Sequence, residues 1–231
     1  MITLFNSLLY IALTIVLYYL GRKLNHTLSH PLTTPIFIAS LSIIVLIVIG
    51  IVPFEQYQKG TQLINYFLGP ATVALAYPLY KYRKLIVKNI VPIIIGVIVG
   101  SIFSSVIAYS MALALHLDSS IVRSLLLKTI TTPVALEVGE KIFANLQVIA
   151  PFVILTGILG AMFVSPILNR FGITHAVARG LTYGVIAHGI GTAQALKEND
   201  DVGAVSSAAM GLTAAILGFF IPIVYKAFQF F

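Results

Sequence analysis

Cysteine is absent from all 231 residues, so the chain forms no disulfide and offers no thiolate as nucleophile or metal ligand. Charge is almost as scarce: 9% of residues are Asp, Glu, Lys or Arg, against roughly 25% in soluble domains. Hydrophobic residues make up 59%, and the mean hydropathy is +1.02. That composition excludes a soluble globular domain and describes a polytopic membrane protein. Acidic residues number only seven, which leaves a net charge of +7. The basic residues stand between apolar runs, so they serve orientation in a membrane and make no nucleic-acid surface. Catalytic signatures are missing as well. There is no HExxH, no GxSxG and no Walker loop, and the expectation is a protein that is not an enzyme and has no cofactor and no metal site. The N-terminal stretch MITLFNSLLYIALTIVLYYLGRK lacks a basic start and a cleavage site and reads as a retained first span.

What is present is a series of apolar runs. They predict an all-α fold of about seven spans plus a re-entrant or broken segment. Spans are expected at Leu4–Leu20, Pro35–Val52, Thr61–Tyr80, Ile90–Leu115, Val148–Leu168, Gly180–Asp201 and Gly203–Tyr225. The run Thr61–Tyr80 is interrupted at Gly69-Pro70 and again at Pro78, because each proline removes a backbone donor and crowds the preceding turn. Two runs carry small residues at four-residue spacing: Gly96, Gly100, Ser104, Ala108, Ala112, and Gly203, Ser207, Gly211, Ala215. Such stripes let helices pack closely. The stretch Ser119–Asn145 holds Arg123, Lys128, Glu137, Glu140 and Lys141 and is cut by Thr131-Thr132-Pro133, so it reads as re-entrant.

The whole chain, 1–231, reads as a single membrane domain. Its halves are 35–115 and 119–229, the second containing the re-entrant segment 119–145. If that segment dips and returns, the positive-inside rule puts Arg22, Lys23, Lys81, Arg83, Lys84, Lys88, Arg170, Arg179 and Lys226 inside. Lys59, Lys141, Lys197 and Asn199 then lie outside. The two halves run in opposite directions, each with a broken middle span, in the pattern of an inverted repeat with two discontinuous helices.

The stretch that organises the rest is Gly180–Asp201, GLTYGVIAHGIGTAQALKENDD. A histidine and two glycines at its middle, His188, Gly189 and Gly191, weaken the helix there. Backbone groups freed at mid-depth are tolerated only where protein or a watery cavity answers them. The candidate substrate-binding residues gather at such breaks: Thr72, Lys128, Thr131, Thr132, His188, Gly189, Gly191 and Thr192, with Ser206 and Ser207 beside the last. Helix N-termini after Pro133 and Gly191 would favour an anion, and Lys128 either adds a full charge or snorkels to the headgroups. Thr129 belongs to the same group of hydroxyls. Candidate coupling residues are Glu137 and His188. Glu137 is either a carboxylate inside the membrane, exchanging a proton or holding a cation, or a surface group near Glu140 and Lys141. His188 either couples to protons or is a neutral ring bonded to a freed carbonyl. Together they are expected to line one cavity.

The segment AHGIGTAQALKEND followed by GAVSSAAMGL, together with KTITTPVALEVGEKI at Lys128–Ile142, resembles the signature of the LrgB/CidB family. The resemblance covers nearly the whole chain and is densest from Leu125 to Leu212. It implies a multi-pass protein of the bacterial cytoplasmic membrane that transports a small monocarboxylate, pyruvate- or glycolate-like, as relatives include proteins implicated in pyruvate uptake and one half of the plastid glycolate/glycerate translocator. It also implies a second reading, an antiholin-like or holin-associated modulator of murein hydrolases, autolysis and programmed cell death. In either case the resemblance implies a small holin-like membrane partner of the LrgA/CidA type; the lipid bilayer is the other expected partner, and the sequence leaves open whether the chain also forms a homo-oligomer.

Overall fold

Helix is the only regular structure among the described residues of the computed structural model, which are 4–28, 30–74 and 76–228. The chain divides into two units, Met1–Leu75 and Ala76–Phe231.

In the first unit, α1 (Leu4–Leu28) continues two turns beyond the expected end of the first span, carrying His26 with it. A 3-10 turn at Pro31–Thr33 follows, capped by His30, whose Nδ1 accepts from the Leu32 N–H at 3.2 Å. Pro35 then opens α2 (Pro35–Val48), where its missing N–H would be unpaired anyway. The two helices close tightly because Gly21 lies against the backbone of Pro35. Helix α3 (Phe54–Gly60) is stitched to α1 by polar groups. Tyr10 donates to Gln56 at 3.1 Å, and the Thr14 and Tyr57 hydroxyls meet at 2.9 Å.

The stretch expected to cross as one interrupted span, Thr61–Tyr80, is divided further than its prolines suggested. It becomes α4 (Gln62–Tyr66), α5 (Leu68–Ala74) and α6 (Ala76–Lys81), and the boundary between the units falls within it. Pro70 and Pro78 each sit in the first turn of a new helix, where proline is tolerated, so each helix stops one turn before its proline. None of these pieces is long enough to cross a bilayer. The side chain of Thr72 lies outside the described residues.

The second unit continues with α7 (Arg83–Lys88), α8 (Ile90–Ala114), α9 (Ser119–Leu126), α10 (Thr132–Lys141), α11 (Leu146–Arg170), α12 (Ala176–Glu198) and α13 (Asp200–Phe228). Among the described residues, four helices are long and apolar enough to cross a membrane: Phe5–Leu28, Ile90–Ala114, Leu146–Arg170 and Asp200–Ala227. At 1.5 Å per residue, 25 residues span about 37 Å, more than the roughly 30 Å of a hydrocarbon core.

Contacts between side chains fix the directions. Gly96 faces Leu181 and Gly100 faces Val185, so α8 runs parallel to the start of α12. Gly160 faces Ala187 while Ser165 bonds Arg179, so α11 runs against it. Gly180 and Gly184 face Val205 and Ala209, so α13 runs with the start of α12.

Two segments fold back on themselves. The first is α9–α10. The Asn145 N–H donates to the Ser120 carbonyl at 3.1 Å, Arg123 Nε to the Phe143 carbonyl at 3.0 Å, and the Ser124 hydroxyl reaches the Asn145 carbonyl at 3.0 Å. Both ends of 119–145 therefore lie together, with residues 127–131 at the far tip. The second is α12. His188 has φ 40° and ψ −132°, outside the helical region, and the chain reverses there. Arg179 on the way in meets Glu198 on the way out at 2.8 Å. This corrects the expectation that Gly180–Asp201 crosses. Asn199 lies at the same end of the bundle as Arg170 and Arg179. It also lies with Lys81 and Tyr82, whose side chains bond Asp200 at 3.3 and 2.6 Å. Lys226, near the far end of the long helix α13, lies at the opposite end from them.

Packing explains why both tips hold. Leu127, Ile130, Val138, Ile149, Val153, Leu217 and Ile221 form one buried cluster that wraps the first hairpin in α11 and α13. Ile93 and Val97 of α8, Val177 and Val185 of α12, and Val205 and Ala209 of α13 form another.

Candidate functional site

Both hairpin tips come to the middle of the second unit from opposite ends. From Arg179 to His188 the helical rise is about 14 Å, half the thickness of a bilayer core. Helix α11 ties the tips together. Its Val153 packs in the cluster around the first hairpin, and its carbonyl accepts a hydrogen bond from His188 Nε2 at 2.9 Å. A carbonyl only accepts, so Nε2 carries the ring proton.

Room for the second tip comes from glycines on α11. A Cβ at Gly157 would stand 2.7 Å from the His188 ring, and one at Gly160 would stand 2.3 Å from the Ala187 Cβ. Neither glycine was singled out from the sequence. The signal was their three-residue spacing followed by Ala161. Within α12, Gly191 lets the returning arm pack on the entering one, since a Cβ there would lie 2.4 Å from Ala187 and 2.9 Å from the Tyr183 carbonyl. Gly189 is looser, with only the Met210 sulfur at 3.8 Å. Thr192 bonds the His188 carbonyl and the Ser206 hydroxyl, each at 2.8 Å, and is fully buried. Ser207 bonds back to the Gly203 carbonyl in its own helix. His188, Thr192 and Ser206 are thus one buried network between α11, α12 and α13.

Lys128 is elsewhere. At the tip of the first hairpin its Nζ donates to Ser104 Oγ at 2.9 Å and approaches the Ser104 carbonyl at 3.3 Å. There it borders a cavity of about 390 Å³. Gly96, Gly100 and Ser104 of α8 form one wall, and Leu181, Thr182 and Val185 of α12 the other. Ser104 stood in the sequence only as part of a packing stripe, and Thr182 carried no signal. Among the described residues no carboxylate pairs with Lys128; the acidic residues in ion pairs are Asp200, Glu137 and Glu198, each with another partner. Thr131 and Thr132 are half-buried at the start of α10, close along the chain to Lys128.

Glu137 does not join His188. Its side chain is 70% exposed and pairs with Lys141 one turn on, at 3.1 Å, while His188 is buried against α11. The expectation that they line one cavity is overturned. Glu137 sits on the face of α10 turned away from the core formed by Ala135 and Val138. The second small-residue stripe is corrected in part. Gly203 packs against Leu196 and Ser207 is buried, but a Cβ at Gly211 would meet nothing within 4 Å.

The strongest electrostatic feature is at the base of the second hairpin. Arg179 donates to Glu198 through Nε (2.9 Å), to Asn169 Oδ1 (2.8 Å) and the Ile173 carbonyl (2.9 Å) through one terminal nitrogen, and to Ser165 Oγ (2.9 Å) through the other. Tyr183 donates to the second oxygen of Glu198 at 2.5 Å. The group clamps both arms of the hairpin to α11.

Residues 14–227 match the LrgB-like family. The holin-like protein CidB of Staphylococcus epidermidis is 36% identical over 223 residues, covering 96% of this chain and 97% of that protein. The holin-like protein CidB of Staphylococcus aureus is 36% identical over 224 residues, with the same coverage. The uncharacterized protein YwbG of Bacillus subtilis is 35% identical over 210 residues, covering 91% of this chain and 93% of that one. No solved structure matches.

Proposed function

Because the chain belongs to the LrgB-like family of membrane proteins, we propose that it transports a small monocarboxylate, pyruvate- or glycolate-like, across the bacterial cytoplasmic membrane. The observation that carries this reading is Lys128. An ammonium at mid-depth costs at least about 2.5 kcal/mol unless it is answered. Here it borders a cavity, bonds a serine, and has no carboxylate partner among the described residues. A bound carboxylate answers the charge, and the apolar walls of Leu181 and Val185 accept a short carbon tail. Thr131 and Thr132 follow Lys128 in the chain but do not line this cavity.

The architecture supports movement. Helix α8 with the hairpin α9–α10, and α11 with the hairpin α12, run in opposite directions, each a crossing helix followed by a dip. In this reading the inverted repeat lies within residues 90–198, and its two re-entrant tips are linked through Val153 of α11, an arrangement suited to alternating access. Lys81, Arg83, Lys84, Lys88, Arg170, Arg179 and Lys197 collect at one end of the second unit, which makes that end cytoplasmic. Arg123, Lys141 and Lys226 lie at the other. His188, Thr192 and Ser206 position the second tip, with Gly189 and Gly191 giving it its shape. A small LrgA/CidA-type partner and self-association belong to the same proposal.

A second reading has its own observation: the staphylococcal relatives are named holin-like, which fits a modulator of murein hydrolases and autolysis. Uptake and leakage separate the two. Proteoliposomes holding the chain alone should take up labelled pyruvate while retaining an entrapped dye. Dye release without saturable uptake would favour the holin-like reading.

A further inference from the structure

Helical hydroxyls in this protein habitually bond back to the carbonyl four residues earlier. Thr14, Thr156, Thr182 and Ser207 do so at 2.7–3.0 Å. Among the described residues, four buried hydroxyls bond to nothing. The Oγ atoms of Ser101 and Ser105 on α8, Thr129 at the tip of the first hairpin and Thr213 on α13 have no hydrogen-bond partner among the described residues. Ser101, Thr129 and Thr213 are no more than 2% exposed. Buried hydroxyls are ordinarily answered.

Helix register and the packing of their neighbours put these groups at one level of the second unit. Ser101 and Ser105 are one turn apart on the face of α8 that buries Val97 and Ala108. Ser104, between them in sequence, holds Lys128, the neighbour of Thr129. Thr213 lies one turn beyond Ala209, which packs in the cluster with Val97 of α8. It lies one turn before Leu217, which packs in the cluster with Leu127 and Ile130. Helix α9 ends at Leu126, so the negative end of its dipole points at this level. The carbonyls of Lys128 and Thr129 accept no bond from a described backbone group. The described residues hold no cluster of acids or histidines able to bind a metal. Neutral oxygens without carboxylates do not suit a divalent ion, whereas unwound carbonyls at the C-terminal end of a half-helix suit sodium.

We propose that Ser101, Ser105, Thr129 and Thr213, with the Lys128 and Thr129 carbonyls at the first hairpin tip, hold one dehydrated cation of sodium size between α8, α13 and that tip. The Lys128 ammonium opposes the ion until a carboxylate neutralises it, so anion and cation favour each other. That coupling role rests on the transport reading; the ion site itself does not.

The test is the melting temperature of purified, substrate-free protein in detergent, measured in sodium chloride and in choline chloride at equal ionic strength. Sodium is expected to raise Tm of the wild type, and to raise that of Lys128→Met further, because the opposing charge is gone. Thr129→Val and Thr213→Val should keep their Tm in choline, since each removes an unanswered hydroxyl, and should lose the sodium shift. Ser101→Ala gives the same reading should either threonine variant fail to fold. Equal Tm in both salts for Lys128→Met, or an undiminished sodium shift in the hydroxyl variants, overturns the site. Carboxylate movement plays no part in this readout, so the ion site and the transport reading fail separately.

Discussion

Replacing Glu198 by Gln should release the returning arm of α12 without unfolding the rest. Arg179 and Glu198 are nearly enclosed, with side chains 10% and 17% exposed, so the pair is screened far less than a surface ion pair. Removing one partner of a buried pair costs about 3–5 kcal/mol, because the charge left behind stays out of water. Residual exposure of Glu198 puts the expected cost near the low end, about 3 kcal/mol. Gln retains an oxygen for the Tyr183 hydroxyl, so the loss reports on charge. About 3 kcal/mol corresponds to on the order of a hundredfold rise in the open population. Hydrogen exchange followed by mass spectrometry should show that rise in the amides of residues 189–198, with α8 and α11 unchanged. In the double variant Arg179→Gln, Glu198→Gln, the loss should be smaller than the sum of the single losses, as expected for partners in one network. Exchange in 189–198 at the wild-type rate in Glu198→Gln would refute the clamp.

Further outcomes follow from the packing and the direction of the chain. Single cysteines can be placed on this cysteine-free background. An impermeant thiol reagent applied to intact cells should label one at Glu140 and spare those at Arg83, Arg170 and Asn199; labelling at Asn199 with sparing at Arg170 would restore a crossing α12. Gly160→Val should lower Tm sharply, by the roughly 1–3 kcal/mol that overpacking costs, because the Ala187 Cβ is 2.3 Å from the added atom. Gly211→Leu should leave Tm within the scatter of the assay, and a large loss there would place another element on that face. Glu137→Gln should leave the pH dependence of any transport unchanged, since its carboxylate is exposed and paired with Lys141.

The breaks were legible because they depend on local chemistry. Thr131-Thr132-Pro133 cannot continue a helix, and His188-Gly189 weakens one, whatever surrounds them. The direction of the chain after a break was not legible for α12, because the reversal is decided by distant partners. Arg179 finds Glu198, and Gly157 and Gly160 of α11 clear space for the tip. Read along the sequence, Glu198 belongs to an acidic loop with Asp200 and Asp201, and its buried partner is nineteen residues away. Lys128 stood out as a charge in an apolar run. Its wall of Ser104, Thr182 and the paired glycines of α8 did not, because hydroxyls and glycines in a transmembrane helix read equally well as packing. Glu137 misled for the converse reason. Its neighbours Val134, Ala135, Leu136 and Val138 are apolar, yet in a helix they point to other faces.

The most direct measurement is pyruvate counterflow in proteoliposomes for the wild type and Lys128→Met, with correct folding confirmed by Tm. Saturable exchange is expected in the wild type, with loss of most of it in Lys128→Met and partial return in Lys128→Arg, which keeps the charge. Exchange at the wild-type level in Lys128→Met would contradict the claim that this ammonium receives the carboxylate.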